Sequence, residues 1–135
     1  MKKIFIGIDV SKKTIDASVI IPSLTDDRPI LQVYGKFDNR PSGFRKMVAM
    51  VRKASTGIDT SEWVFCCETT GGYDVALCDY ITSKQLLIWR EHAAEIAKSR
   101  RDHGKDDRKD SQLIAEYAWR NQDKVRAYTP KTTEI

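Results

Sequence analysis

No apolar run in this 135-residue chain approaches the roughly 18 residues that a bilayer-spanning helix needs. The start, Met1-Lys2-Lys3 followed by Ile4 to Ile8, has the charged-then-apolar order of a signal peptide. Its apolar stretch is too short for one and runs into Asp9, so a cytoplasmic protein without a membrane segment is expected. Cysteine is scarce: Cys66, Cys67 and Cys78 form no C-x-x-C pair and are odd in number. That excludes a disulfide framework and a cysteine zinc site. Cys66 and Cys67 are adjacent in an extended run and therefore face opposite ways, which suits core thiols in a reducing compartment. Histidine is rarer still, and His92 and His103 cannot build a metal site with these thiols. Internal repeats and low-complexity tracts are absent too.

What is present describes one globular domain. Hydrophobic residues make up 41% and charged residues 31%, enough of the first for a real core and too little net charge for disorder. The net charge of +4 permits polyanion binding without showing it. Its distribution says more. Lys98 to Lys109 holds six Lys or Arg and three Asp. By charge alone such a run describes a solvated loop.

Ile4 to Val10 is apolar on both faces, as in a central strand covered on both sides. Ile15 to Ile21 and Ile30 to Phe37 are further strands, joined by a Pro22 to Pro29 hairpin loop, so a meander opens the chain. Pro41 starts a helix with Phe44, Met47, Val48 and Val51 at helical spacing. Trp63 to Glu68 reads as a fourth strand, the segment through Tyr73, Leu77 and Ile81 as a helix, and Gln85 to Trp89 as a fifth strand. A short helix over His92 to Lys98 and a longer one over about Asp106 to Asn121 follow. Three strands and then alternation predict an α/β domain: a mixed five-stranded sheet flanked by helices, in the order of the ribonuclease H-like fold.

Four acids stand out. Asp9 and Glu68 end apolar strands, where a lone buried carboxylate is costly. In open α/β sheets, sites cluster at the carboxyl ends of parallel strands. Asp107 and Asp110 fall on one helical stripe with Ile114, Tyr117 and Ala118, while Arg108, Lys109 and Glu116 fall off it. Singly, each aspartate fits a helix N-terminus, where acids are favoured by the dipole. Together on an apolar stripe they point toward the sheet. Four carboxylates converging there suit two divalent cations that act on a phosphodiester, with Mg²⁺ the natural occupant and Mn²⁺ a substitute. Asp16 and Glu62 read as ordinary strand acids in solvent or paired with lysine. Gly71-Gly72 reads first as a turn that needs glycine conformations, and second as a place where a partner comes close. Lys12, Arg100, Arg101, Lys105 and Arg108 are the candidate phosphate contacts, or simply balance the acids.

Phe5-Ile6-Gly7-Ile8-Asp9-Val10-Ser11-Lys12, then Glu68-Thr69-Thr70-Gly71-Gly72-Tyr73, then Lys105-Asp106-Asp107-Arg108-Lys109-Asp110 with Ile114-Ala115, resemble one family. It is the DEDD-type insertion-sequence transposases, which include the Piv-type DNA invertases. The resemblance implies a RuvC-like domain over residues 1–122 and maps the acidic tetrad onto Asp9, Glu68, Asp107 and Asp110. It also implies Mg²⁺-dependent DNA strand cleavage and exchange, DNA as partner, a noncoding guide RNA and a homo-oligomer. Members continue into a second domain with a nucleophilic serine, so residues 123–135 are expected to begin a linker to a domain absent here, and complete recombination is not expected of this chain alone. Ser111 stands where the family has alanine, a small-for-small change.

Two other readings compete. An actin-like or sugar-kinase ATPase also opens on Gly-Ile-Asp, but usually places glycine soon after that Asp, where Ser11-Lys12-Lys13 stand here. A non-catalytic nucleic-acid-binding module would not need all four carboxylates.

Overall fold

A computed structural model describes residues 3–23, 29–69, 71–98 and 107–130, with the side chains of 98 and 107–109 outside it. The strands are β1 (Ile4–Val10), β2 (Thr14–Pro22), β3 (Pro29–Asp38), β4 (Trp63–Glu68) and β5 (Leu87–Glu91). The helices are α1 (Pro41–Ala54), α2 (Val75–Ser83), α3 (Ala93–Lys98) and α4 (Asp107–Arg120). The sheet order is β3-β2-β1-β4-β5. β1 pairs antiparallel with β2 and parallel with β4, β2 pairs antiparallel with β3, and β4 pairs parallel with β5. The predicted mixed five-stranded sheet with an antiparallel opening meander is therefore present.

Strand alternation splits the core into two layers. Ile4, Ile6, Ile8 and Val10 of β1, with Phe65 and Cys67 of β4, pack against Phe44, Met47 and Val51 of α1 and Leu77, Cys78 and Ile81 of α2. Phe5 and Cys66 face the other way, onto Ile114, Ala115, Tyr117 and Ala118 of α4. Cys66 and Cys67 thus lie on opposite faces, and all three cysteines are buried free thiols.

The fifth strand starts two residues later than Gln85 to Trp89 predicts, and the reason lies at the end of α2. Gln85 takes φ 62°, the left-handed region. Its amide donates to Thr82 O, and the Leu86 amide donates to Ile81 O. This is a Schellman motif, with the side chains of Ile81 and Leu86 both in the core. Gln85 and Leu86 are used to end the helix, so the strand runs on through Arg90 and Glu91.

Residues 125–130, part of the 123–135 segment expected to begin a linker, run beside β5. The Tyr128 amide donates to Ile88 O at 2.8 Å and its hydroxyl to Asp79 at 2.8 Å. Among the described residues, no helix is long and apolar enough to cross a membrane.

Candidate active site

The carboxyl ends of three parallel strands carry acids on one face. In β1, Phe5, Gly7 and Asp9 share the face that α4 covers; in β4, Val64, Cys66 and Glu68 do. Ile8 pairs with Cys67, so Asp9 and Glu68 are the next residues along neighbouring strands. Both are half-buried and engage further polar or electrostatic partners. Glu68 is in register with Glu91 on β5, an acid that periodicity alone leaves outside the strand.

α4 lies directly on β1. A methyl group built on Gly7 would sit 2.1 Å from Ser111 O and 2.2 Å from Ala115 N, so only glycine admits the helix this close. The buried Ser111 and Ser18 hydroxyls hydrogen-bond at 2.6 Å, tying the helix to β2. Ser111 is therefore more than a neutral replacement for alanine. At the other side of the sheet, the Tyr117 hydroxyl donates to Glu91 Oε2 at 2.9 Å, and its ring stacks at a tilt on Trp89 with centroids 5.5 Å apart. Desolvation, and then the Glu91 bond, push the Tyr117 phenol well above its ordinary value, so it stays a donor.

These contacts seat the helix that carries Asp110. Asp110, Ile114 and Tyr117 form one stripe, and the Tyr117 end of that stripe reaches the carboxyl edge at Glu91. Asp110 is half-buried and immediately precedes Ser111, which sits on Gly7 two residues before Asp9. Asp107 and Arg108 begin the helix, and their side chains lie outside the described atoms. Arg100, Arg101 and Lys105 lie outside the described residues altogether, and Lys12 is exposed in the turn after β1. Among the described residues, the oxygens of Asp9, Glu68 and Asp110 are not gathered within 4.8 Å of one another. Like charges are expected to stand apart until a cation joins them.

The edge has two further features. Asn39 Nδ2 donates to Ser11 O at 2.8 Å and to Tyr73 O at 3.0 Å, pinning the turn after β1 to the turn after β4. Gly71 and Gly72 have φ of 59° and 94°, with nothing within 4 Å of an added methyl. Their backbone conformation, the first of the two sequence readings, accounts for them. Asp16 reads from sequence as an ordinary strand acid. It is buried, takes the Tyr34 hydroxyl bond and lies 3.7 Å from Lys36 Nζ. Its lysine partner fits that expectation and its burial does not.

The tight group among the described residues is a different one: Cys67, Asp74 and Cys78, on the α2 side. The Arg90 guanidinium already binds the buried Asp74, its Nη2 lying 3.3 Å from Oδ1. The Cys78 hydrogen bond and burial hold the Cys67 thiol protonated. This group is core packing around an ion pair.

Comparison with known proteins agrees with this architecture. Two solved structures of Thermus thermophilus RuvC are similar in fold. The one titled as a complex with a Holliday junction substrate has a TM-score of 0.59 at 9% identity, covering 90% of this chain and 96% of that one. The other has a TM-score of 0.58 at 10% identity, covering 92% and 98%. At such identities the likeness establishes the ribonuclease H-like fold alone. No curated protein matches the sequence. The family model described as transposase, that of the IS110-type DEDD enzymes, matches residues 6–135. With nearly its whole length matched and its acids on the α4 face of a RuvC-like sheet, this chain belongs to the IS110-type DEDD transposase family.

Proposed function

We propose that this domain cleaves DNA strands with divalent cations held by Asp9, Glu68, Asp107 and Asp110. The observation that carries the reading is the shared edge. Asp9 and Glu68 end adjacent parallel strands under the helix that bears Asp110. The donor set fits Mg²⁺ or Mn²⁺: it is all carboxylate, and Asp9, Glu68 and Asp110 are half-buried and still reached by solvent. When bound, such ions supply the positive charge that a phosphodiester needs in displacement. The chain's own part is to hold the acids in place. The strands fix Asp9 and Glu68, and α4, seated on Gly7, carries the aspartates. DNA is the proposed substrate. A noncoding guide RNA and a homo-oligomer are proposed for the complete protein on the family resemblance. The family match favours this reading over the ATPase alternative.

Thermal melting with Mn²⁺ tests the metal. A ligand bound only to the native state adds about 2.7 kcal/mol at a concentration 100 times its Kd. A melt indifferent to millimolar Mn²⁺, with and without duplex DNA, would count against the site and favour a non-catalytic module.

The basic segment Lys98 to Lys109 leads into α4 and is proposed, with Lys12, to contact phosphates. Neutralising Arg100, Arg101 and Lys105 together is expected to weaken DNA and RNA binding across sequences. It should flatten the salt dependence by about 0.9 in log-log slope for each phosphate that is no longer neutralised. Unchanged affinity and slope would leave the segment a solvated surface.

A further inference from the structure

We infer that Tyr117 and Glu91 form a positioning pair, whose hydrogen bond sets the place of Asp110 on α4 against Glu68 on β4. The inference rests on the metal reading above. Apolar contacts hold α4 on the sheet without fixing its rotation or its slide, because they are non-directional. Directional ties must do that. Ser18–Ser111 supplies one on the β2 side, and Tyr117–Glu91 supplies another on the β5 side.

The second tie connects the two acids through rigid parts. Glu91 is pinned at both carboxylate oxygens: Oε2 takes the Tyr117 hydroxyl at 2.9 Å, and Oε1 takes the His92 amide at 2.8 Å. Its backbone is in register with Glu68, and its carbonyl accepts from the Thr69 amide at 2.9 Å. Tyr117 lies two helical turns after Asp110 on the same stripe of an uninterrupted helix. From Glu68 to Asp110 the path therefore runs through one strand pairing, one fixed carboxylate, one phenol and one helix. A hydroxyl-to-carboxylate bond is charge-assisted and geometrically demanding, which suits it to this task. Two other roles are open to the same residues. Glu91 could itself hold the cation, or the bond could merely satisfy a buried phenol.

The experiment separates these roles. Free Mn²⁺ is followed by electron paramagnetic resonance as it is titrated into this chain and into Tyr117→Phe, Glu91→Ala and Glu91→Gln. Removing a residue that orients a ligand typically weakens metal binding about 10- to 100-fold. Tyr117→Phe and Glu91→Ala are each expected to weaken Mn²⁺ binding at least to the lower end of that range, while circular dichroism shows the fold retained. Glu91→Gln, whose amide oxygen still accepts from Tyr117 while its amide nitrogen gives up the His92 tie, is expected to bind Mn²⁺ more tightly than Glu91→Ala. A Gln variant as weak as the Ala variant would make the charge of Glu91 decisive and overturn the positioning role. Wild-type affinity in Tyr117→Phe would reduce the bond to core satisfaction. If Tyr117→Phe fails to fold, the Ala and Gln variants decide the same question. Wild-type protein that binds no Mn²⁺ would sink the metal reading itself, and this inference with it.

Discussion

Gly7→Ala is expected to destabilise this domain strongly by lifting α4 off the sheet. The added methyl would meet Ser111 O at 2.1 Å and Ala115 N at 2.2 Å. Both are helix backbone atoms, so no side chain can rotate away and α4 must lift as a body. Overpacking a core costs about 1–3 kcal/mol and occasionally more, and the rigid neighbour puts this case at the upper end. Each kcal/mol is worth about 2–8 °C in a domain of this size range, so the melting temperature should fall by about 10 °C. Gly57→Ala is the contrast, because it has open space around it and φ 86°. There the cost is the left-handed backbone alone, about 1–2 kcal/mol. A Gly7→Ala protein melting with the wild type would mean that α4 does not rest on β1. The same lift would carry Asp110 away from Asp9, so the Mn²⁺ response should vanish along with the stability.

Asp110→Asn, placed in a protein competent for strand cleavage, is expected to lose that cleavage by at least about 10²-fold, the usual cost of removing one preorganised electrostatic group. The side chain is half-buried and the replacement nearly isosteric, so folding should survive. Removing a negative charge from an edge that holds Asp9, Glu68 and Glu91 should leave the metal-free melting temperature equal or higher. Cleavage at the wild-type rate would remove Asp110 from the site. Loss of cleavage together with loss of fold would point instead to a structural role at the start of α4.

Much of the scaffold is legible in the sequence because its causes are local. Trp63 to Glu68 has the bounds that its sequence predicts, since a loop and a glycine turn bracket a run buried up to its last residue, the half-buried Glu68. The α4 stripe is readable from the spacing of Ile114, Tyr117 and Ala118, all of which are buried. Glu91 is not readable. Nothing in Lys84-Gln85-Leu86 marks a left-handed cap, for glycine is the usual residue there and glutamine occupies the place. With β5 begun too early, its last acid falls outside the sheet. Ser111 looks neutral in sequence for a similar reason: its value lies in Ser18, 93 residues away.

Alternation and helical period by themselves determined the two-layer α/β scaffold and put Asp9, Glu68 and Asp110 at the ends or on the inner stripes of their elements. They act through near neighbours along the chain, which a sequence displays directly. Which acids share an edge was decided only by the tertiary structure. Strand register set Glu91 beside Glu68, and Asp16 was buried because Tyr34 and Lys36 came to meet it. Gly7 let a helix approach to a distance that no other residue allows. Those outcomes depend on contacts between segments far apart in the chain, whose free energies exist only once the sheet has closed.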